Sequence, residues 1–129
     1  GQCRRCILDR MAKFMARNPE LYRANRARRQ RERQRFQTRK RKEVRLRAFA
    51  ILGSSCICCG ENDSRFLQID HLNNDGAAHR ARLGGRGQSR RIHYEVIAGK
   101  VSGLQLLCAN CNWGKRMNGG ICPHEEALR

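Results

Sequence analysis

Asp70 and His71 stand side by side at the end of the short apolar run Leu67-Gln68-Ile69. A carboxylate can hold a divalent cation, and an imidazole that is neutral near pH 7 can take a proton from water. Those are the two demands of phosphodiester hydrolysis: a deprotonated water and neutralised charge on the phosphate. Neighbouring residues on a strand point to opposite faces, so both groups serve one site only if the strand ends or bends there. The turn sequence Asn73-Asn74-Asp75-Gly76 is placed to do this. Taken alone, the dipeptide is better read as an Asp–His hydrogen bond closing a strand. A second segment changes the weighing: Leu104-Gln105-Leu106-Leu107-Cys108-Ala109-Asn110-Cys111-Asn112-Trp113-Gly114-Lys115 joins an apolar strand to a cysteine pair, an Asn and a Lys.

The chain has eight cysteines. Cys3 and Cys6, Cys56 and Cys59, and Cys108 and Cys111 are pairs whose two-residue spacing lets both thiolates reach one tetrahedral zinc. In a basic chain expected to be intracellular, this grouping points to metal rather than disulfides. Cys56, Cys59, Cys108 and Cys111 would form a closed site of four thiolates, structural because no position is left for water. Cys3, Cys6, Cys122 and His124 are expected to form a second zinc site if the termini meet. A cysteine pair ahead of a basic helix also reads as the latter half of a small zinc finger whose first half lies upstream. The chain begins with Gly1 rather than Met, so its natural start is expected upstream. Cys58 is left over as a free thiol.

The elements that must position these residues follow from pattern. Asn18-Pro19-Glu20 is a helix start. No Gly or Pro occurs from Leu21 to Leu52, so one long helix is expected, or two with a break near Gln37-Thr38. Arginine and lysine crowd residues 17–50, where Glu20, Glu32 and Glu43 are the only acids. Such a run is either a solvated, partly disordered arm or a helix laid along phosphates. Only its last turns, with Val44, Leu46, Phe49 and Ile51, look able to pack on a core. Beyond Gly53-Ser54-Ser55 the pattern gives a strand from Phe66 to His71, a mobile basic loop over 77–91, a short helix from Ile92 to Ala98, a strand from Leu104 to Leu107, and a helix from Ala109 to Asn118 stopped by Gly119-Gly120. Trp113 is expected in the core, ahead of a place in the wall of the site. His79 and His93 are read as surface or loop-bracing residues, with His79 placed to touch a phosphate.

A formal net charge of +17 names a polyanion as partner, nucleic acid first and an anionic membrane surface a distant second, since no amphipathic apolar face accompanies the arginines. The longest uncharged apolar run, Ala48 to Leu52, is far too short to span a bilayer.

Residues 55–118 resemble the HNH family of nucleases, also called the ββα-metal or His-Me finger fold, in the zinc-knuckle variant of phage type. The resemblance rests on Asp70-His71, on Asn112 and Lys115 in the Cys-Asn-x-x-Lys stretch, and on the flanking cysteine pairs. It implies an α+β chain: a basic helical arm with the N-terminal Cys pair over 1–52, a small zinc-stabilised nuclease domain over 53–122 and a tail over 123–129. It implies that Asp70 and Asn112 hold a catalytic divalent ion such as Mg²⁺, that His71 is the general base, and that Zn²⁺ at the four cysteines is structural. The expected activity is hydrolysis of DNA by a metal-dependent endonuclease, cutting one strand as a monomer or both as a homodimer. Lys115, Arg116 and His79, with Arg26, Arg29, Arg33 and Arg41 of the arm, are the expected DNA-backbone contacts. An intracellular location, in cytoplasm or nucleoid, goes with this reading, as does a phage origin. The rival expectation is a non-catalytic zinc protein of ribosomal or packaging type that binds nucleic acid. One position departs from the family pattern: Gly103 stands where the motif has its middle Asn, and Asn73, Asn74 or Asn110 could take over the bracing role.

Overall fold

The computed structural model describes residues 3–84 and 90–126, which form an α+β chain of helices and one small two-stranded antiparallel sheet. The chain divides into two compact units, Gly1–Arg41 and Lys42–Arg129.

The first unit holds helix α1 (Arg4–Arg17) and most of helix α2 (Pro19–Ile51). α1 was not legible in the sequence. The Cys3 sulfur caps it by accepting from the Cys6 backbone N–H, and Asn18 ends it, its backbone N–H returning to the Phe14 carbonyl. Proline then fixes the backbone angle that opens α2. α2 runs through Gln37-Thr38 without a break, because arginine, glutamine, lysine and alanine are strong helix formers and no Gly or Pro interrupts them. Only Ala48 and Phe49 of α2 are buried, both in its last turns.

Those last turns belong to the second unit. Gly53 and Ser54 take left-handed backbone angles, and the Ser54 N–H returns to the Phe49 carbonyl, which closes the helix. Strands β1 (Leu67–His71) and β2 (Leu104–Cys108) pair in register from Leu67 opposite Cys108 to His71 opposite Leu104. Between them lie helices α3 (Gly76–Arg82) and α4 (Arg91–Ile97). The basic loop expected over 77–91 therefore begins as a helix; its residues 85–89 lie outside those described. Helix α5 (Ala109–Met117) follows β2 directly and packs on both strands, and the short α6 (Pro123–Glu126) packs on α5.

The core cluster comprises Phe49, Cys56, Leu67, Leu106, Leu107, Cys108, Cys111 and Cys122. Half of it is cysteine. A core this small and this rich in thiols would gain stability from a metal that joined those sulfurs. Arg45 ties α2 to the sheet: its guanidinium donates to the Leu67 carbonyl at 2.7 Å and lies 4.8 Å from the centre of the Phe49 ring. Among the described residues, no helix is long and apolar enough to cross a membrane.

Candidate active site and cysteine cluster

The β1–β2 register sets Asp70 opposite Gln105. Gln105 Nε2 donates to Asp70 Oδ2 at 2.7 Å, and Lys115 Nζ reaches the same oxygen at 2.7 Å. Lys115 also donates to the His71 carbonyl at 2.7 Å and to the Leu72 carbonyl at 3.3 Å. It is 5 % exposed, so the expectation that it holds a phosphate is corrected: it faces inward and braces the end of β1. The cause is helical spacing. Cys111 and Lys115 are four residues apart and form the buried face of α5. Trp113 falls outside that face and is 61 % exposed, with the Arg116 guanidinium over its ring; the core placement expected for it does not hold.

Asn112 Nδ2 donates to Gln68 Oε1 at 2.7 Å. Asp70 Oδ1 and Asn112 Oδ1 make no hydrogen bond among the described residues. Asp70, His71 and Asn112 line one cavity of about 660 Å³, together with Gly76, Arg80 and Arg116. One anionic and one neutral oxygen donor fit a hard divalent cation, and the adjacent Lys115 charge weakens its attraction to Asp70.

His71 heads a chain of three side chains. Its Nε2 lies 2.6 Å from His79 Nδ1, and His79 Nε2 lies 2.7 Å from Glu95 Oε2. A carboxylate only accepts, so His79 Nε2 donates to Glu95. With a neutral His79, its Nδ1 accepts from His71 Nε2 and the lone pair of His71 falls on Nδ1. Burial, followed by the neighbouring His79, holds the His71 pKa below its ordinary 6.5, which favours this neutral form near pH 7. Both ring nitrogens of His79 are engaged, by His71 and Glu95. Glu95 was not singled out from the sequence. It lies on α4, 16 residues beyond its partner, and no local pattern links the two.

A Cβ at Gly76 would lie 2.9 Å from His71 Nδ1. The glycine therefore leaves open the space through which a small molecule approaches that nitrogen. Gly103 has a left-handed φ of 74°, and its carbonyl accepts the Leu72 N–H at 2.9 Å. Gly and Asn are the residues that most readily adopt that conformation. Asn74 shares it, and its N–H returns to the His71 carbonyl at 3.1 Å. His93 does not line this cavity; half-buried, it lies 6.1 Å from Phe49 between ring centres.

The cysteines form two groups that could each hold a metal ion: Cys56, Cys59, Cys108 and Cys111, and Cys58, Cys111, Cys122 and His124. The first is the set expected from spacing. The second differs from expectation. Cys122 and His124 gather with Cys58 and Cys111, so Cys58 is no isolated thiol, while Cys3 and Cys6 hydrogen-bond each other at 3.0 Å in the other unit. Burial raises the Cys56 thiol, but backbone N–H groups from Cys108, Cys59 and Cys58 outweigh it and bring its pKa down to about 7. Burial and the neighbouring Cys122 push Cys58 up to about 11, and burial with its sulfur neighbours raises Cys111. Thiols packed this closely ionise together only when a cation joins them.

Arg26, Arg29, Arg33 and Arg41 are exposed on α2 in the first unit; the first three follow one helix face. No protein-family model, curated protein or solved structure matches the chain.

Proposed function

We propose that this chain is a DNA endonuclease of the HNH type, with residues 55–118 as its nuclease unit. The observation that carries the reading is the cavity shared by Asp70, His71 and Asn112, with the lone pair of His71 on the nitrogen beside Gly76. Asp70 and Asn112 would hold a divalent ion, which supplies charge neutralisation for the phosphate. His71 Nδ1 takes the proton of the attacking water as its oxygen bonds to phosphorus and the bond to the leaving sugar oxygen breaks. The imidazolium that results keeps its Nε2–H on His79, and Glu95 at the far end of the chain offsets the charge. Arg80 and Arg116 line the cavity and pair with phosphate oxygens. The arginines of α2 add sequence-independent contacts to the DNA backbone.

Lys115 supports a second reading. A carboxylate already paired with a buried ammonium is also a structural ion pair, as a non-catalytic zinc protein that binds nucleic acid would have. Plasmid cleavage with and without Mg²⁺ separates the two. Metal-dependent nicking that is lost in His71→Ala, with DNA binding retained, is the expected result. Equal cleavage by both proteins removes His71 from the mechanism, and no cleavage by either leaves the binding protein.

A further inference from the structure

Cys111 belongs to both metal-binding groups. In each group the ligand atoms lie within 4.8 Å of one another. A tetrahedral zinc with bonds of about 2.3 Å to sulfur and 2.0 Å to nitrogen sets its ligands about 3.5–3.8 Å apart. Cys59 and Cys108 sulfurs are 3.6 Å apart, Cys111 sulfur and His124 Nδ1 3.5 Å, and Cys122 sulfur and His124 Nδ1 3.8 Å. These three separations match tetrahedral edges, and the two groups meet at one sulfur.

We propose that these seven residues hold two zinc ions bridged by the Cys111 thiolate: one ion on Cys56, Cys59, Cys108 and Cys111, the other on Cys58, Cys111, Cys122 and His124. Charge supports it. One zinc on four thiolates carries −2. Adding a second Zn²⁺ while Cys58 and Cys122 lose their protons leaves that total unchanged, because two new negative charges meet two positive ones. Both sites are closed, each with four ligands, so both are structural.

The second ion has a distinct task. Cys122 follows the Gly119-Gly120 turn, and both glycines line the cavity of Asp70 and His71. A Cβ at Gly114 would lie 3.0 Å from Pro123 and 3.9 Å from the Cys122 sulfur, so the segment after that turn sits close against α5. The second zinc fastens this segment to the Cys58 turn and holds that wall of the cavity in place. The inference does not depend on the nuclease reading.

The test uses the full chain carrying Cys3→Ser and Cys6→Ser, so that metal on the N-terminal pair is not counted. Two zinc ions per chain by elemental analysis are expected; one overturns the proposal. Replacing zinc with Co²⁺ should give magnetically coupled ions, since a shared thiolate transmits exchange. Two uncoupled ions overturn the bridge. Adding Cys122→Ser and His124→Ala should reduce the content to one ion, and retention of both overturns the ligand assignment. If that variant does not fold, ¹¹³Cd resonances of the parent protein decide: one four-sulfur and one three-sulfur, one-nitrogen signal are expected, and two four-sulfur signals exclude His124.

Discussion

Gly76 lies against His71 so closely that a methyl group there would sit 2.9 Å from Nδ1. Gly76 is the first residue of α3, and its backbone does not have a left-handed φ. Alanine is therefore tolerated by the helix and excluded by the histidine. Gly76→Ala should displace the His71 ring at a stability cost of about 1–3 kcal/mol and lower DNA cleavage about 10²-fold or more, the scale of a misplaced general base. Parallel cleavage and melting measurements check it; full activity in the variant would show that Nδ1 is not the working nitrogen.

Glu95 acts on His71 only through His79, so its replacement tests positioning. Glu95→Gln should cost about 10-fold or more in cleavage rate, as partners behind a working group commonly do, with DNA affinity unchanged. A comparable loss of affinity would mean that Glu95 serves the fold of the whole cavity wall.

The Lys115–Asp70 pair is nearly buried, with side chains 7 % and 13 % exposed. Lys115→Met removes the cation and leaves the carboxylate facing low dielectric. The cost should be about 3 kcal/mol or more, read from urea unfolding. A change of a few tenths would mean that water reaches Asp70 freely.

How much of this was legible beforehand divides by distance along the chain. The strands, α5 and the four-cysteine group follow from local periodicity and two-residue spacing, and the structure assembles them at Leu67–His71, Leu104–Cys108, Ala109–Met117 and Cys56/Cys59/Cys108/Cys111. Lys115 was singled out but given the wrong neighbours, because a basic residue near a cavity looks the same in sequence whether it turns in or out. Glu95, Arg45 and the Cys58 group carry no local signature; each is defined by a partner brought close only by folding. α1 was missed although Ile7, Met11, Phe14 and Met15 recur at helical spacing; none of its residues is buried, and the stripe does not join the core.

His93 gives the fold a pH dependence. Burial lowers its pKa below 6.5, the Arg45 charge adds to this, and a hydrogen bond to the Arg90 backbone opposes it. A histidine with a depressed folded-state pKa favours folding in its neutral form. Its contribution is complete above the unfolded value near 6.5 and is lost as pH falls through the lower folded value. Unfolding free energy should therefore decline on acidification below about pH 6.5, and His93→Phe should flatten that decline. An unchanged slope in the variant would assign the dependence to other groups.

The arm has its own signature. Replacing Arg26, Arg29, Arg33 and Arg41 with Gln should weaken binding to all duplex sequences alike. Each lost phosphate contact should reduce the log–log salt slope by about 0.9. A slope that does not move would give α2 a partner other than DNA.

The Lys115–Asp70 bond joins residues 45 positions apart, and this separation bears on how the second unit forms. Loop-closure entropy opposes such a contact until several distant partners arrive together. Among the described residues neither strand has another strand to lean on while it waits, because the sheet there comprises β1 and β2. The cysteine pairs bracket the same interval, one ahead of β1 and one at the end of β2. An ion captured by Cys56 and Cys59 gains its remaining ligands only when β2 arrives, so filling the metal site and zipping the sheet are one kinetic event. Were that ion zinc, maturation of the nascent chain would depend on the supply of free zinc.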